Sequence, residues 1–261
     1  MLTSAAMKMR IADRELAYER YGSGQPLVLV HAFPFDGRMW RGIAQALGAT
    51  HRVILPDMRG FGESALGSGD PSIADMADDI AALLDHLSMA RATVGGLSMG
   101  GYVALAFAAR HRSRLERLIL ADTRATADSE QAHAGRAGAL ALVEKEGVPA
   151  LVERQLAVLL SPSASEALRQ EVRELGQQNA AGVCAAIRAL RDRPDRQAEL
   201  SAIACPTLVI AGKEDKLSPP ADMAALARAI PNARLTEIAG AGHLSNLENP
   251  AEFIAAIANF M

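Results

Sequence analysis

The hydrophobic positions of this chain switch period repeatedly. PLVLVH at 26–31 and RVILP at 52–56 are short apolar runs, and ATVGGL, LERLILAD and TLVIAG repeat the pattern further along. Unbroken apolar runs of that length suit strands buried on both faces of a parallel sheet. Between them the period lengthens. SIADMADDIAALLDHL carries apolar residues at 73, 76, 80, 83, 84 and 87, which is helical spacing, with Ser72 and Asp75 placed as a capping pair. MGGYVALAFAARH, PPADMAALARAI and PAEFIAAIANFM read as further helices, ARLTEIAG as the last strand, and MKMRIADRELAYERYG as a strand pair turning near Asp13. Strand and helix units in alternation predict an α/β fold, with a mostly parallel sheet flanked by helices.

The rhythm stops between about 123 and 200. That interval is rich in Ala, Leu, Glu, Arg and Gln, holds no strand pattern, and is broken at Gly147-Val148-Pro149 and Ser161-Pro162. A helical cap inserted between two sheet strands is the simplest organisation. Residues 1–122 then form the first part of the core, 123–200 the cap, and 201–261 the second part. Ligands of open parallel sheets bind beyond the carboxyl ends of the strands, where such an insertion leaves and returns, so the cap is expected to be a lid.

Composition narrows the partners. The 261 residues are half hydrophobic and 22% charged, ordinary for a soluble enzyme-sized domain, and a formal charge of −3 gives no general attraction to nucleic acid or anionic membranes. The N-terminal MLTSAAMKMRIADR lacks a secretory apolar stretch, and no segment approaches the roughly 20 apolar residues of a membrane span, so a cytoplasmic protein is expected. Cys184 and Cys205 cannot make a disulfide framework and are expected to be packing residues. Without CxxC or paired His/Cys spacing, no metal is expected, nor is any cofactor.

The chemistry concentrates in VGGLSMGGYVA, where a strand pattern gives way to a helical one. Gly96-Leu97-Ser98-Met99-Gly100 matches G-x-S-x-G at that junction. A sharp turn there brings the positions two before and two after Ser98 together, and glycine at both removes the collision. A serine needs a base, an orienting group and oxyanion donors to act as a nucleophile. Asp215 follows TLVI and His243 follows the penultimate strand pattern, giving the order Ser, Asp, His along one rim. Asp122, directly after LILA, is a rival for the acid.

The chain resembles the α/β-hydrolase family from PLVLVHAFP to its terminal helix. The matching pieces are His31-Ala32-Phe33-Pro34, Asp57-Met58-Arg59-Gly60-Phe61-Gly62-Glu63-Ser64, Gly96 to Gly100, Gly212 to Asp215, and Gly242-His243. HAFPFDGRMW, GGLSMGG and GHLSNLENP look most like carboxylesterase and 3-oxoadipate enol-lactonase-type members. The resemblance implies that Ser98 attacks a carbonyl, His243 takes its proton and Asp215 orients the imidazole. The oxyanion would be held by the backbone N–H of Met99 and of Phe33, since Pro34 has none. The family more often has glycine at Ala32, so a positive φ there would be strained. By the same resemblance Asp57 and Arg59 organise backbone, and His31 braces the oxyanion loop. His51, His86, His111 and His133 lack partners at useful spacing and are expected to face solvent or fill gaps.

The expected substrate is a small ester or lactone, and the sequence does not define an oligomeric state. A carbon–carbon bond hydrolase of a vinylogous diketone would use the same triad. A ligand-binding receptor with residual hydrolase activity is the reading from another class.

Overall fold

The structure is a computed structural model describing residues 6–261; the first five residues, on which part of the leader reading rests, lie outside it. β1 (Met7–Ile11) and β2 (Arg14–Tyr21) form the expected antiparallel pair, turning through Ala12 and Asp13, and β2 pairs antiparallel with a later strand. The remaining strands are β3 (Gln25–Val30), β4 (His51–Pro56), β5 (Ala92–Leu97), β6 (Leu115–Ala121), β7 (Thr207–Gly212) and β8 (Ala233–Ile238). All neighbours among these six are parallel, and the sheet order is β1-β2-β4-β3-β5-β6-β7-β8. Every residue of β5 and of β7 is buried, which is why those segments read as unbroken apolar runs.

Helices complete both faces. α1 (Arg41–Leu47) links β3 to β4, α2 (Ile73–His86) links β4 to β5, and α3 (Met99–Arg110) links β5 to β6. Ser72 and Asp75 close a reciprocal capping box at the start of α2, as their spacing predicts. Four helices separate β6 from β7: α4 (Glu130–Glu146), α5 (Val148–Leu159), α6 (Glu166–Leu175) and α7 (Ala180–Arg191). α8 (Pro220–Ala229) joins β7 to β8, and α9 (Ser245–Glu248) and α10 (Pro250–Ala258) end the chain. Right-handed crossovers set α2, α3 and α8 on one face, and α1 with its packing partner α10 on the other. Beside that contact, fully buried Phe253 of α10 holds its ring centroid 5.6 Å from that of Trp40, the residue that precedes α1.

Polar side chains pin the loops between these layers. Asp57 accepts the N–H of Gly37 and of Glu63, both at 2.9 Å, so it organises backbone as expected. Arg59 and Arg14 both bond Asp79, whose carboxylate is almost wholly buried between them. Gln178, just before α7, accepts the Gly62 N–H at 2.8 Å and donates to Asp36 at 2.7 Å, tying the helices after β6 to the loop after β3. His111 departs from expectation, since its Nε2 lies 2.7 Å from Asp78, a partner distant in sequence but adjacent across the packed α2 and α3. Cys184 is buried and Cys205 half-buried, both as free thiols. Among the described residues, no helix is long and apolar enough to cross a membrane.

Candidate active site

Parallel strands end on the same edge, so the loops after β3, β5, β6, β7 and β8 gather on one rim. The strand order reverses at β3, which has β4 on one side and β5 on the other, and a crevice opens where the two loops diverge. Phe33 lies in the first of those loops and Ser98 in the second.

Ser98 sits between β5 and α3 with φ 55° and ψ −112°, a left-handed conformation that a non-glycine residue adopts only at a cost. Its N–H donates to the Ala121 carbonyl at 3.0 Å, and its own carbonyl accepts the Thr123 hydroxyl at 2.8 Å, so the end of β6 and the loop just after it hold the turn. The two flanking glycines are needed for space. A Cβ on Gly96 would lie 2.2 Å from the carbonyl carbon of Gly100, and one on Gly100 would lie 2.1 Å from the Val30 oxygen. Without them α3 could not start so close to β3 and β5.

His243 and Asp215 come together. The imidazole Nδ1 is 2.8 Å from Asp215 Oδ2, and both residues are buried. The other carboxylate oxygen accepts the N–H of Leu217 at 2.7 Å and of Ser218 at 3.0 Å. Burial alone would push this carboxyl up; the bond from His243 and the backbone N–H groups outweigh it and hold Asp215 below its ordinary value. The rival acid is occupied elsewhere. Asp122 accepts the Gly212 N–H at 2.7 Å with one oxygen and the Ser245 hydroxyl with the other. Complete burial and the nearby Asp215 charge push its carboxyl up to about 7, against a downward pull from His243. Asp122 therefore braces the ends of β6 and β7 and the start of α9.

Among the described residues, the N–H groups of Phe33 and Met99 find no partner in the turns, caps or side-chain bonds around them. That leaves both free to receive an anionic oxygen. His31 lies beneath the Phe33 loop: Nε2 accepts the Met58 N–H at 2.9 Å, so Nδ1 carries the proton and faces the Ala32 carbonyl at 3.0 Å. Its burial lowers the imidazole pKa and keeps the ring neutral. Ala32 is absent from the described non-glycine residues with positive φ, which are Ala12, Ser88, Ser98 and Asp122, so the loop needs no glycine there.

Phe33, Ser98, Met99 and His243 all line one cavity of about 330 Å³. Tyr102, Arg124, Arg136 and Gln155 add polar groups, and Ala132, Ala139, Val158 and Leu190 add apolar wall from α4, α5 and α7. Sequence reasoning missed Thr123 and Arg124, although both follow a strand end on the same rim as Asp122 and that position was the available signal. It also missed Glu248, which accepts the Gly242 N–H at 2.7 Å and the Ser161 N–H at 2.8 Å, linking the His243 loop to the end of α5. Among the described residues, no group of three or more His, Cys, Asp or Glu side chains is placed to hold a metal ion.

Comparison with known proteins gives a consistent neighbourhood. The family model for the alpha/beta hydrolase fold matches residues 25–250. A pimeloyl-[acyl-carrier protein] methyl ester esterase of Aeromonas hydrophila is 31% identical over 261 residues, covering 94% of this chain and 99% of its own. The 3-oxoadipate enol-lactonase 2 of Acinetobacter baylyi is 30% identical over 251 residues, covering 94% and 92%. The solved structure of a thermophilic esterase from Thermogutta terrifontis, with malate bound, superposes with a TM-score of 0.93 at 40% identity, covering 98% of this chain and 97% of that one.

Proposed function

The chain belongs to the α/β-hydrolase family, and we propose that it cleaves small carboxylic esters or lactones through Ser98, His243 and Asp215 by way of an acyl-enzyme. The observation that carries the reading is the 2.8 Å contact between His243 and Asp215 beside a cavity that His243 shares with Ser98. With Nδ1–H donated to Asp215, Nε2 is left unprotonated and can accept the Ser98 proton. Ser98 Oγ then adds to the substrate carbonyl, and the new oxyanion is received by the N–H groups of Phe33 and Met99. Asp215 stabilises the imidazolium, which returns its proton to the leaving alkoxide. Water, deprotonated by His243, releases the acid and restores Ser98.

Residues 123–200 act as the lid. The apolar side chains they contribute to the cavity exclude water and favour short acyl groups over extended polymers. Relatives named for a methyl ester and for an enol-lactone, at nearly equal identity, support carbonyl–oxygen cleavage without selecting a substrate. A carbon–carbon hydrolase of a vinylogous diketone keeps one support, since it needs a polar acid-binding wall and Arg124 lines this cavity. Turnover by purified protein across aryl esters of graded acyl length, lactones of graded ring size, diketones, triglycerides and a peptide tests the assignment. Short esters or lactones should give the highest kcat/KM; highest turnover of a peptide or a long-chain triglyceride would refute it, and turnover of diketones alone would establish the second reading.

A further inference from the structure

Among the described residues, Arg124 has no anionic partner of its own. Two other arginines do: Arg136, which lines the same cavity, and Arg193 share the carboxylate of Asp128, and the Arg193 guanidinium also stacks 4.3 Å from the Tyr102 ring centre. Among the described residues no carboxylate lies within ion-pair distance of Arg124, and its Nε is buried without a hydrogen-bond partner. An unpaired polar atom in that position carries the cost of its lost hydration. The residue is also firmly placed. Asp122 N–H donates to the Ile210 carbonyl at 2.9 Å and the Thr123 hydroxyl to the Ser98 carbonyl at 2.8 Å, so the backbone leading into Arg124 is anchored to the turn that presents Ser98. Among the described residues, the charged side chains lining the cavity are the cationic Arg124 and Arg136 and the anionic Asp128, leaving a positive wall in a protein of net charge −3.

We infer that the substrate carries a carboxylate remote from the bond cleaved, and that Arg124 receives it. This rests on the hydrolase reading above and names its substrate class: ester or lactone acids whose free acid group lies at the lid side of the cavity. A guanidinium offers a planar fork matched to a carboxylate, and a bond between two charged groups in a partly dried cavity discriminates strongly against a neutral analogue. Arg136, already paired, adds field without competing for the ligand.

The test compares mono-(4-nitrophenyl) esters of dicarboxylic acids, from glutarate to pimelate, with the same molecules capped as methyl esters at the free acid, after subtraction of uncatalysed hydrolysis. The members of each pair differ in charge and little else. At one chain length the wild-type kcat/KM should favour the anionic member by about ten- to a hundredfold, the range set by a charged hydrogen bond. Arg124→Gln should collapse that ratio chiefly through KM, Arg124→Lys should restore part of it, and Arg124→Glu should turn the preference toward a trimethylammonium-capped ester. A wild-type ratio near one at every length overturns the inference while turnover of the neutral esters leaves the hydrolase reading standing. A ratio unchanged in Arg124→Gln, with both members falling together, assigns Arg124 a structural role and also overturns it. No turnover of any ester would remove both.

Discussion

Asp122 and Asp215 end neighbouring strands on the same rim, and exchanging each for asparagine separates what they do. Asp215 touches the imidazole; Asp122 holds Gly212 and Ser245, and burial pushes its carboxyl from the ordinary 3.8 up to about 7. A carboxyl whose pKa is raised by folding favours the unfolded chain once that chain can ionise. Below about pH 4 both states are protonated and the effect vanishes; it grows as pH rises toward 7 and is complete above that. A shift of about three units corresponds to about 4 kcal/mol, of which about 3 kcal/mol accrues between pH 5 and pH 8. Asparagine keeps an acceptor for the Gly212 N–H and cannot ionise, so Asp122→Asn should escape this loss. The difference in Tm, variant minus wild type, should rise by about 5 to 10 °C between pH 5 and pH 8, at about 2 to 4 °C per kcal/mol for a chain approaching this size. Activity should show the opposite ranking. Asp215→Asn should lower kcat by a factor on the order of 10⁴, about 5.5 kcal/mol of transition-state stabilisation, because the imidazole is left in the wrong tautomer. Asp122→Asn should stay within about tenfold of wild type, since it leaves the Asp215–His243 bond in place. Thermal unfolding followed by circular dichroism at pH 5, 6.5 and 8, with aryl-ester turnover at pH 7, measures both. A loss near 10⁴ at position 122, or a Tm difference that is flat or falls with pH, would refute the reasoning.

Two further substitutions probe the scaffold. Gly100→Ala puts a methyl 2.1 Å from the Val30 oxygen, so α3 must withdraw and carry Ser98 with it; kcat should fall by at least about a hundredfold in whatever protein folds, measured by single-turnover ester cleavage. Asp79→Ala leaves the Arg14 and Arg59 guanidinia facing each other without their shared carboxylate, which should cost about 3 to 5 kcal/mol in urea unfolding while the folded fraction turns over normally.

The strands were legible because burial on both sheet faces demands unbroken apolar runs, and the α2 start because capping chemistry is local. The turn at Ser98 was legible for a similar reason, since its steric problem is solved by glycines two residues away on either side. Elsewhere the deciding neighbours are distant in sequence. Asp122 and Asp215 both follow apolar runs, and which one meets His243 depends on the relative height of β6 and β7. His111 finds Asp78 because α2 packs on α3, and Asp128, which shares the cavity with Arg124, is held by Arg136 and by Arg193 from far along the chain. The two-turn α1 is too short to show a period. In the interval after β6, the long α4 mixes alanine and leucine with charged residues and buries only Val143, so its hydrophobic pattern could not mark its boundaries.

The central claim is that Ser98 is a nucleophile activated by His243. Incubation with a fluorophosphonate, followed by intact-mass measurement and peptide mapping, tests it directly, because such reagents capture a serine activated by its base. The account predicts one adduct per chain, located on Ser98, with loss of ester hydrolysis in step with labelling and neither labelling nor turnover in Ser98→Ala. A label mapped to another residue, or hydrolysis that survives Ser98→Ala nearly intact, would contradict it.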